Sequence, residues 1–188
     1  MHVNLKVSTS EEYFSQVERE IDWEEDDDSK VILKNLKSFI EKDIVEVKVD
    51  YIDYNGNIQK GIIEVNKDIL EKIKAIFDEL LKIKFPIYKV DKSYQRNDED
   101  IINDNITTGY NYRYIMGTDE LSKHAKGYAI DLNPKVNPAK PSKINHVYDE
   151  SIEKGKITKE VIDIFKKHGF KWGGEIFDNF WDSHHFEV

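Results

Sequence analysis

The chain has 188 residues, 39% of them hydrophobic, which suits one folded domain with a core and argues against a disordered protein. The net charge of -9 and the pI of about 5.2 argue against nucleic acid as the main partner, because phosphate binding requires clustered Lys and Arg. The absence of cysteine excludes disulfides, thiolate metal sites and a cysteine nucleophile.

The N-terminal part differs in composition from the rest. Ser10 followed by acidic residues is typical of a helix start, and the acidic run at 24–28 favours a solvated linker. The first residues lack the basic-then-apolar pattern of a signal peptide, and no apolar run reaches the roughly 20 residues of a membrane helix. We therefore predict an acidic leader over 1–28 with no assigned role, a single domain over 29–188, and no membrane span.

The first half of this domain carries clear helix and strand signals. Apolar spacing predicts a helix over 31–39, and alternation predicts strands over 44–51 and 58–65. Asn55-Gly56 between these strands favours a hairpin turn. A second helix is predicted over 67–84, with Asn66 as its N-cap and Pro86 as its stop.

The second half has shorter elements and longer connections. We predict a loop over 91–109 and a long loop over 133–156. A helix is predicted from the N-cap Thr158 to Lys167, ended by Gly169. Short strands are predicted over 87–90, 110–116, 128–132 and 185–188. The total predicts a mixed α+β domain.

Two segments carry residues suited to a metal site. His124 lies in a loop before the strand that holds Asp131, and the small Gly127 and Ala129 share the face of Asp131, which leaves space near its carboxylate. Near the C-terminus, alternation places His185 and Glu187 on one face. Two imidazoles and one carboxylate leave a fourth zinc position for water, which is typical of a catalytic site.

Other residues near His185 suit hydrolysis. Asp182, three residues before it, is placed to move a proton, and Glu187 is placed to orient the His185 imidazole. From spacing alone the alternatives stay open, namely an Asp131 that satisfies backbone groups and a surface histidine.

The sequence resembles the VanY-like D-alanyl-D-alanine carboxypeptidases and the related L-alanyl-D-glutamate endopeptidases, which are zinc peptidases. The family pattern S-x-H-x-x-G-x-A-x-D is present from Ser122 to Asp131. The pattern G-[FW]-x-W-G-G-[DE] is present from Gly169 to Glu175, and D-x-x-H-F-E follows from Asp182 to Glu187. The similarity extends upstream to about residue 30, through the hairpin and Tyr112-Arg113, and includes Asn133-Pro134 and Asn137-Pro138.

The resemblance implies roles for particular residues. His124, Asp131 and His185 match the zinc ligands, and Asp182 matches the acid/base. Arg113 matches the arginine that binds the substrate carbonyl and stabilises the oxyanion, although a surface salt bridge is the alternative. Ser122 is expected to make a supporting hydrogen bond near the site, although a serine that only forms a turn is the alternative.

The implied fold is that of the hedgehog/D-Ala-D-Ala peptidases, a small antiparallel sheet with flanking helices. The implied partner is a peptidoglycan stem peptide, and action at the bacterial cell wall is expected, after secretion or release on lysis, with a cytoplasmic location as the alternative. This sequence departs from the family at Glu175, where Asp is common, and at His184, which we expect to face solvent.

Three other functions compete with the carboxypeptidase. An endopeptidase that cuts between L-Ala and D-Glu has the same motifs; a second cation near the pocket, from Arg96 or Lys123, would favour the carboxypeptidase. A non-catalytic binding module of the same fold is the second alternative, and retention of the reactive residues argues against it. A metal-dependent nuclease that uses the His184-His185 pair fits the net charge poorly.

Overall fold

A computed structural model of the chain describes residues 27–93, 96–115, 117–140, 148–149 and 151–188, and within these ranges the fold is α+β. Its α-helices are α1 (Asp27–Glu41), α2 (Leu70–Lys82), α3 (Asp98–Asn103) and α4 (Lys159–Lys167). Its strands are β1 (Ile44–Ile52), β2 (Ile58–Asn66), β3 (Lys89–Val90), β4 (Ile106–Thr107), β5 (Ala129–Asp131), β6 (Ala139–Lys140), β7 (Lys171–Trp172), β8 (Trp181–Asp182) and β9 (His185–Glu187). Among the helices of these ranges, none has the length and apolar character needed to cross a bilayer.

The predicted hairpin and the helix after it are confirmed. Strands β1 and β2 pair antiparallel along their whole length, and Gly56 turns the chain with φ of 85°. The Asn66 side chain accepts a hydrogen bond from the Asp68 N–H at 3.1 Å and so caps a 3-10 turn (Lys67–Ile69) that leads into α2. Helix α2 ends at Lys82, and Lys84 has the left-handed φ of 57°. The helix therefore ends before the predicted stop at Pro86.

One main core joins the hairpin, α2, α4 and the last strand. The centre of this core includes Phe77 of α2 and Phe165 of α4, and Phe165 stacks on Phe186 of β9 with ring centroids 3.8 Å apart. Burial of a side chain of this size contributes about 1.5–3 kcal/mol. This packing fixes β9, and with it His185, relative to the rest of the domain.

The region from 91 to 116 differs from our prediction. The expected loop contains α3 and β4. Asn97 caps α3 by accepting from the Asp100 N–H at 2.8 Å, and Ile101 and Ile102 bury the helix against the domain. The expected strand at 110–116 is wrong for 110–115, where only Tyr114 forms an isolated bridge, with Leu121. The tyrosines of this segment pack against the small core of α1 instead.

The C-terminal part contains more strands than predicted. β9 lies between β5 and β7 in a three-stranded antiparallel sheet, and β6 pairs antiparallel with β8, although 133–156 was predicted to be a loop. The cap of α4 by Thr158 and the left-handed Gly169 after it are confirmed. Helix α1 begins at Asp27, within the acidic run, whereas the expected helix start at Ser10 lies outside the described residues.

Candidate metal centre and active-site pocket

Strand pairing brings Asp131 and His185 together. Strands β5 and β9 are antiparallel, and in their register Asp131 lies directly opposite His185. Paired residues on adjacent strands present their side chains on the same face of the sheet. Two residues that are far apart in sequence therefore become immediate neighbours.

His124 reaches the same place through a tight turn. It begins a 3-10 turn (His124–Lys126) that Gly127 ends in the left-handed conformation, with φ of 74°. A Cβ atom at Gly127 would lie 2.5 Å from the Asn66 backbone nitrogen, so a side chain has no room there. Gly127 therefore turns the chain between His124 and Asp131.

The three predicted metal ligands converge. His124 Nε2 lies 3.1 Å from Asp131 Oδ1 and 3.1 Å from His185 Nδ1, and His185 Nδ1 lies 3.2 Å from Asp131 Oδ1. All three side chains are buried. Among the described residues they form a group of His and Asp side chains that can hold a metal ion.

The geometry of this triangle fits a metal ion of zinc size. In a tetrahedral site with bonds of about 2.0 Å, neighbouring ligand atoms lie about 3.3 Å apart. The sides of the observed triangle are close to that distance.

Each imidazole has an inner nitrogen that faces the triangle and an outer nitrogen that faces away from it. The outer nitrogen contacts a hydrogen-bond acceptor, as is usual for histidines that bind metals. His124 Nδ1 lies 2.7 Å from the Gly109 carbonyl oxygen, and His185 Nε2 lies 3.0 Å from a Glu187 carboxylate oxygen. Since both partners are acceptors, the outer nitrogens donate, and the inner nitrogens are the atoms that would present lone pairs to a metal ion once they carry no hydrogen. The contact of Glu187 with His185 that the predicted orienting role requires is present. The contact of His124 with Gly109 has no signal in the sequence, because it depends on a backbone carbonyl from a distant segment.

The electrostatics of the cluster favour a cation. Burial opposes ionisation of Asp131, but the charges of His124 and His184 and the hydrogen bonds from His124 and His185 hold its pKa well below the usual value. Burial disfavours a charged His185, yet its hydrogen bonds to Asp131 and Glu187 raise its pKa to about 10. Without a metal ion, His185 therefore carries a proton at neutral pH in the place where a cation fits.

This proton predicts a pH dependence of metal binding. Because a metal ion must displace the proton of His185, whose pKa is about 10, the affinity is expected to rise with pH between 6 and 8 by about tenfold per unit, with about one proton released. Calorimetric zinc titration in buffers of different ionisation enthalpy measures the release. The His168→Gln variant, altered at a histidine that binds Glu79 elsewhere, should keep the same slope. A pH-independent affinity would contradict the ligand role of His185.

The ligands lie in a cavity of about 580 Å³ that also contains both predicted catalytic residues. The lining of this active-site pocket includes Asp182, Arg113, Lys123, Phe177 and the three ligands. The Arg113 Nε lies 2.8 Å from Asp98 Oδ1, so the salt bridge that was the alternative exists inside the pocket. The backbone of Arg113 is fixed as well, since its carbonyl oxygen accepts from the Ser122 N–H at 3.1 Å.

The Gly173-Gly174 pair allows the strands around Asp182 to close. The Gly173 N–H donates to the His185 carbonyl oxygen at 2.8 Å, and the Asp182 N–H donates to Gly173 at 3.2 Å. A Cβ atom at Gly173 would lie 2.4 Å from the backbone carbonyl oxygen of Asp182, and one at Gly174 would lie 2.4 Å from the Trp172 ring. Because Gly173 has no side chain, its backbone can lie close to the backbones of both Asp182 and His185.

Two further residues near the site, Ser122 and His184, can be compared with the predictions from the sequence. The Ser122 Oγ accepts from the His124 N–H at 3.2 Å, a contact between residues two apart that fits both the expected supporting hydrogen bond and the turn-forming serine. The expectation that His184 faces solvent is wrong, because its side chain is buried and lies 3.1 Å from Asp182. Alternation along a strand predicts only that His184 faces away from His185. It does not predict burial, which arises because the loop after β5 covers His184 and contacts it through the Asn137 carbonyl oxygen.

In this α+β domain, one pocket joins the His/Asp/His cluster to an acid and an arginine, which are groups that suit hydrolytic chemistry. Residues 116–188 match the family model of D-alanyl-D-alanine carboxypeptidase, which belongs to the VanY-like peptidases, and this confirms the resemblance over those residues. The family is one of metallopeptidases. The resemblance upstream of residue 116 stays a prediction. Neither the curated proteins nor the solved structures yielded a match to the chain.

Proposed function

We propose that the protein is a zinc peptidase that cleaves bonds next to D-amino acids in peptidoglycan stem peptides, as a D-alanyl-D-alanine carboxypeptidase. The observation that carries the proposal is the convergence of three inward-facing ligand atoms with Asp182 and Arg113 in one pocket, within a segment that matches this family. The hedgehog/D-Ala-D-Ala peptidase fold and action at the bacterial cell wall are parts of the same proposal.

The residues of the chain divide the reaction between them. A zinc ion held by His124, Asp131 and His185 would act as a Lewis acid and would lower the pKa of the attacking water. Asp182, in the same pocket, takes up the proton of the attacking water and returns it to the leaving amine. Asp98 holds Arg113 through Nε, so the terminal nitrogens of the guanidinium serve as donors to the substrate oxygen, where negative charge develops.

The cations of the pocket favour the carboxypeptidase over the endopeptidase. A carboxypeptidase must hold the free terminal carboxylate of its substrate, and Lys123 and Lys126 both line the pocket. The Lys123 Nζ is held in place by donating to the Val188 carbonyl oxygen at 3.0 Å. Arg96, the other predicted candidate, lies 3.8 Å from Asp91 and is not among the residues described as lining the pocket.

Digestion of purified muropeptides followed by mass spectrometry tests the substrate. Loss of one terminal D-Ala supports the carboxypeptidase, and fragments separated between L-Ala and D-Glu support the endopeptidase instead. No cleavage of either bond would overturn the proposal. Elemental analysis tests the metal, because two histidines and one carboxylate also suit Fe(II).

Phe177 is predicted to contact the substrate. It is 41% exposed although it is a large apolar residue, and its ring lies 6.2 Å from that of His185. The variant Phe177→Ala is expected to raise KM about tenfold, which corresponds to about 1.4 kcal/mol, with little change in kcat. Steady-state kinetics on the preferred muropeptide measures both constants.

The matched control for Phe177 is Ile58→Ala. Ile58 is 67% exposed on the β1–β2 hairpin and does not line the pocket. Its replacement should leave KM unchanged, and Phe177→Leu should recover most of the affinity. An unchanged KM for Phe177→Ala would show that the substrate does not reach this side of the pocket.

A further inference from the structure

We propose that Glu120, on the wall of the active-site pocket, is a specificity residue that binds a side-chain ammonium group of the substrate. The substrate class is a peptide in which a basic residue, such as lysine or another diamino acid, lies on the amino-terminal side of the cleaved bond. This assignment rests on the proposed function, because it gives the peptidase pocket a further contact with its substrate.

Glu120 is held at the end of a short two-stranded ribbon. Tyr114 and Leu121 form an antiparallel bridge, and the Ile115 N–H donates to the Glu120 carbonyl oxygen at 2.8 Å. The Thr118 hydroxyl braces the turn, since it donates to the Ile115 carbonyl oxygen at 3.0 Å and accepts from the Glu120 N–H at 3.2 Å. The backbone of Glu120 is therefore fixed, so its side chain starts from a defined point.

The ribbon turns one face toward the pocket. Side chains alternate between the two faces of an extended chain, and the pocket is lined by Arg113, Ile115, Glu120 and Ser122. Ser122 is hydrogen-bonded to Arg113, and Glu120 lies two residues before Ser122, a step of about 6.6 Å. An extended peptide covers this distance in about two residues, so an ammonium group close to the cleaved bond is within reach of Glu120.

The carboxylate of Glu120 is available to a ligand. Asp98 and Glu187 also line the pocket, but they contact Arg113 at 2.8 Å and His185 at 3.0 Å. Within the part of the chain that the structure describes, the exposed Glu120 forms no ion pair. A cation carried by the substrate can therefore pair with it.

An apolar surface lies beside this carboxylate. Ile115 is 41% exposed although it is large and apolar, and it neighbours Glu120 across the ribbon on the pocket wall. A basic side chain combines an apolar stem with a charged end, and such stems pack on apolar surface while the charge stays in a polar environment. Ile115 and Glu120 together match the two parts of a lysine-like side chain.

The charges along this wall set the direction of the substrate. Glu120 comes before Ser122 in the chain, whereas Lys123 and Lys126, the cations available to the terminal carboxylate, come after it, on either side of His124. The negative and positive groups therefore lie on opposite sides of Ser122 along the segment. A peptide whose carboxylate contacts the lysines directs its amino-terminal part toward Glu120.

Two peptides that differ in one charge test the proposal. Both end in D-Ala-D-Ala after a lysine, and in the second peptide the lysine side chain is acetylated. The wild-type protein is expected to have a KM about fivefold lower for the free ammonium, the upper end for an exposed ion pair, with little change in kcat. Glu120→Gln should give equal KM values for the two peptides and keep the wild-type zinc content. Glu120→Lys should prefer a third peptide with glutamate in place of lysine.

The matched control is Asp119→Asn, because the neighbouring Asp119 is exposed and is not among the residues that line the pocket. This variant should keep the preference for the free ammonium, and added salt should reduce that preference in the wild-type protein. Melting temperatures show whether each variant is folded. No preference in the wild-type protein, or an equal preference in wild type and Glu120→Gln, would overturn the inference.

Binding measurements separate this inference from the proposed function. Absence of hydrolysis of both peptides by the wild-type protein would overturn the proposed function. Calorimetric titration would still give the Kd of each peptide. Tighter binding of the free ammonium by wild type but not by Glu120→Gln would support the contact, whereas equal or undetectable affinities would overturn it.

Discussion

Replacing Asp182 with Asn is expected to lower kcat by about 100- to 10,000-fold, the range by which general acid–base groups accelerate reactions. Asn keeps the size and the backbone contacts of Asp182 but cannot accept and return a proton at neutral pH. Asp182 lies in the pocket without forming a side of the His124, Asp131 and His185 triangle, so the metal content should stay at the wild-type level.

The measurement combines steady-state hydrolysis of the preferred muropeptide with elemental analysis of the same sample. Asp178→Asn is the matched control, because Asp178 is exposed in the segment between β7 and β8 and does not line the pocket. Undiminished hydrolysis by the Asp182 variant would show that another group moves the proton. A wild-type protein that binds zinc and stem peptide without cleaving it would support the binding module.

The elements that local signals define were predictable from the sequence. The β1–β2 hairpin follows from alternation and from Asn55-Gly56, and α4 follows from the Thr158 cap and Gly169. In each case the residues that decide the structure are neighbours in sequence. Side chains and backbone within a few residues satisfy each other, so little information from the rest of the fold is required.

The segment at 91–116 was not predictable for the opposite reason. Helix α3 is short, and its two buried isoleucines gain stability only against the pocket and the core. Strand β4 consists of two residues that pair in parallel with β3, and parallel pairing depends on a partner that is remote in sequence. Composition at 91–109 is rich in Asn and Asp, which favours a loop until these long-range contacts are known.

The candidate site combines both kinds of information. The identities of His124, Asp131 and His185 came from the resemblance, since their spacing alone left other interpretations open. Their meeting depends on the β5–β9 register, which places Asp131 opposite His185. The buried state of His184 could not be derived from its strand position, because it depends on a carbonyl group of Asn137 in a loop that precedes it by 47 residues.

Replacing Asp131 with Asn is expected to weaken zinc binding by more than about 100-fold, the upper end of the loss caused by removing a group that only supports a ligand. The substitution keeps the shape of the side chain but removes the negative charge that faces both imidazoles. Hydrolysis should fall to the background level with the metal, and elemental analysis together with the muropeptide assay measures both losses. Retention of zinc at the wild-type level would contradict the ligand triangle.

The same substitution should also act on the metal-free protein. The pKa of Asp131 is held well below 3.8 in the fold, so its carboxylate stabilises the folded state above its ordinary pKa, and this stability is lost as the pH falls through the lowered value. At pH 7 the Asn variant should therefore melt at a lower temperature than wild type even with a chelator present, whereas Asp178→Asn should not. The Asp182 variant loses turnover and keeps zinc, and the Asp131 variant loses both, so the pair separates the group that moves a proton from the group that holds the ion.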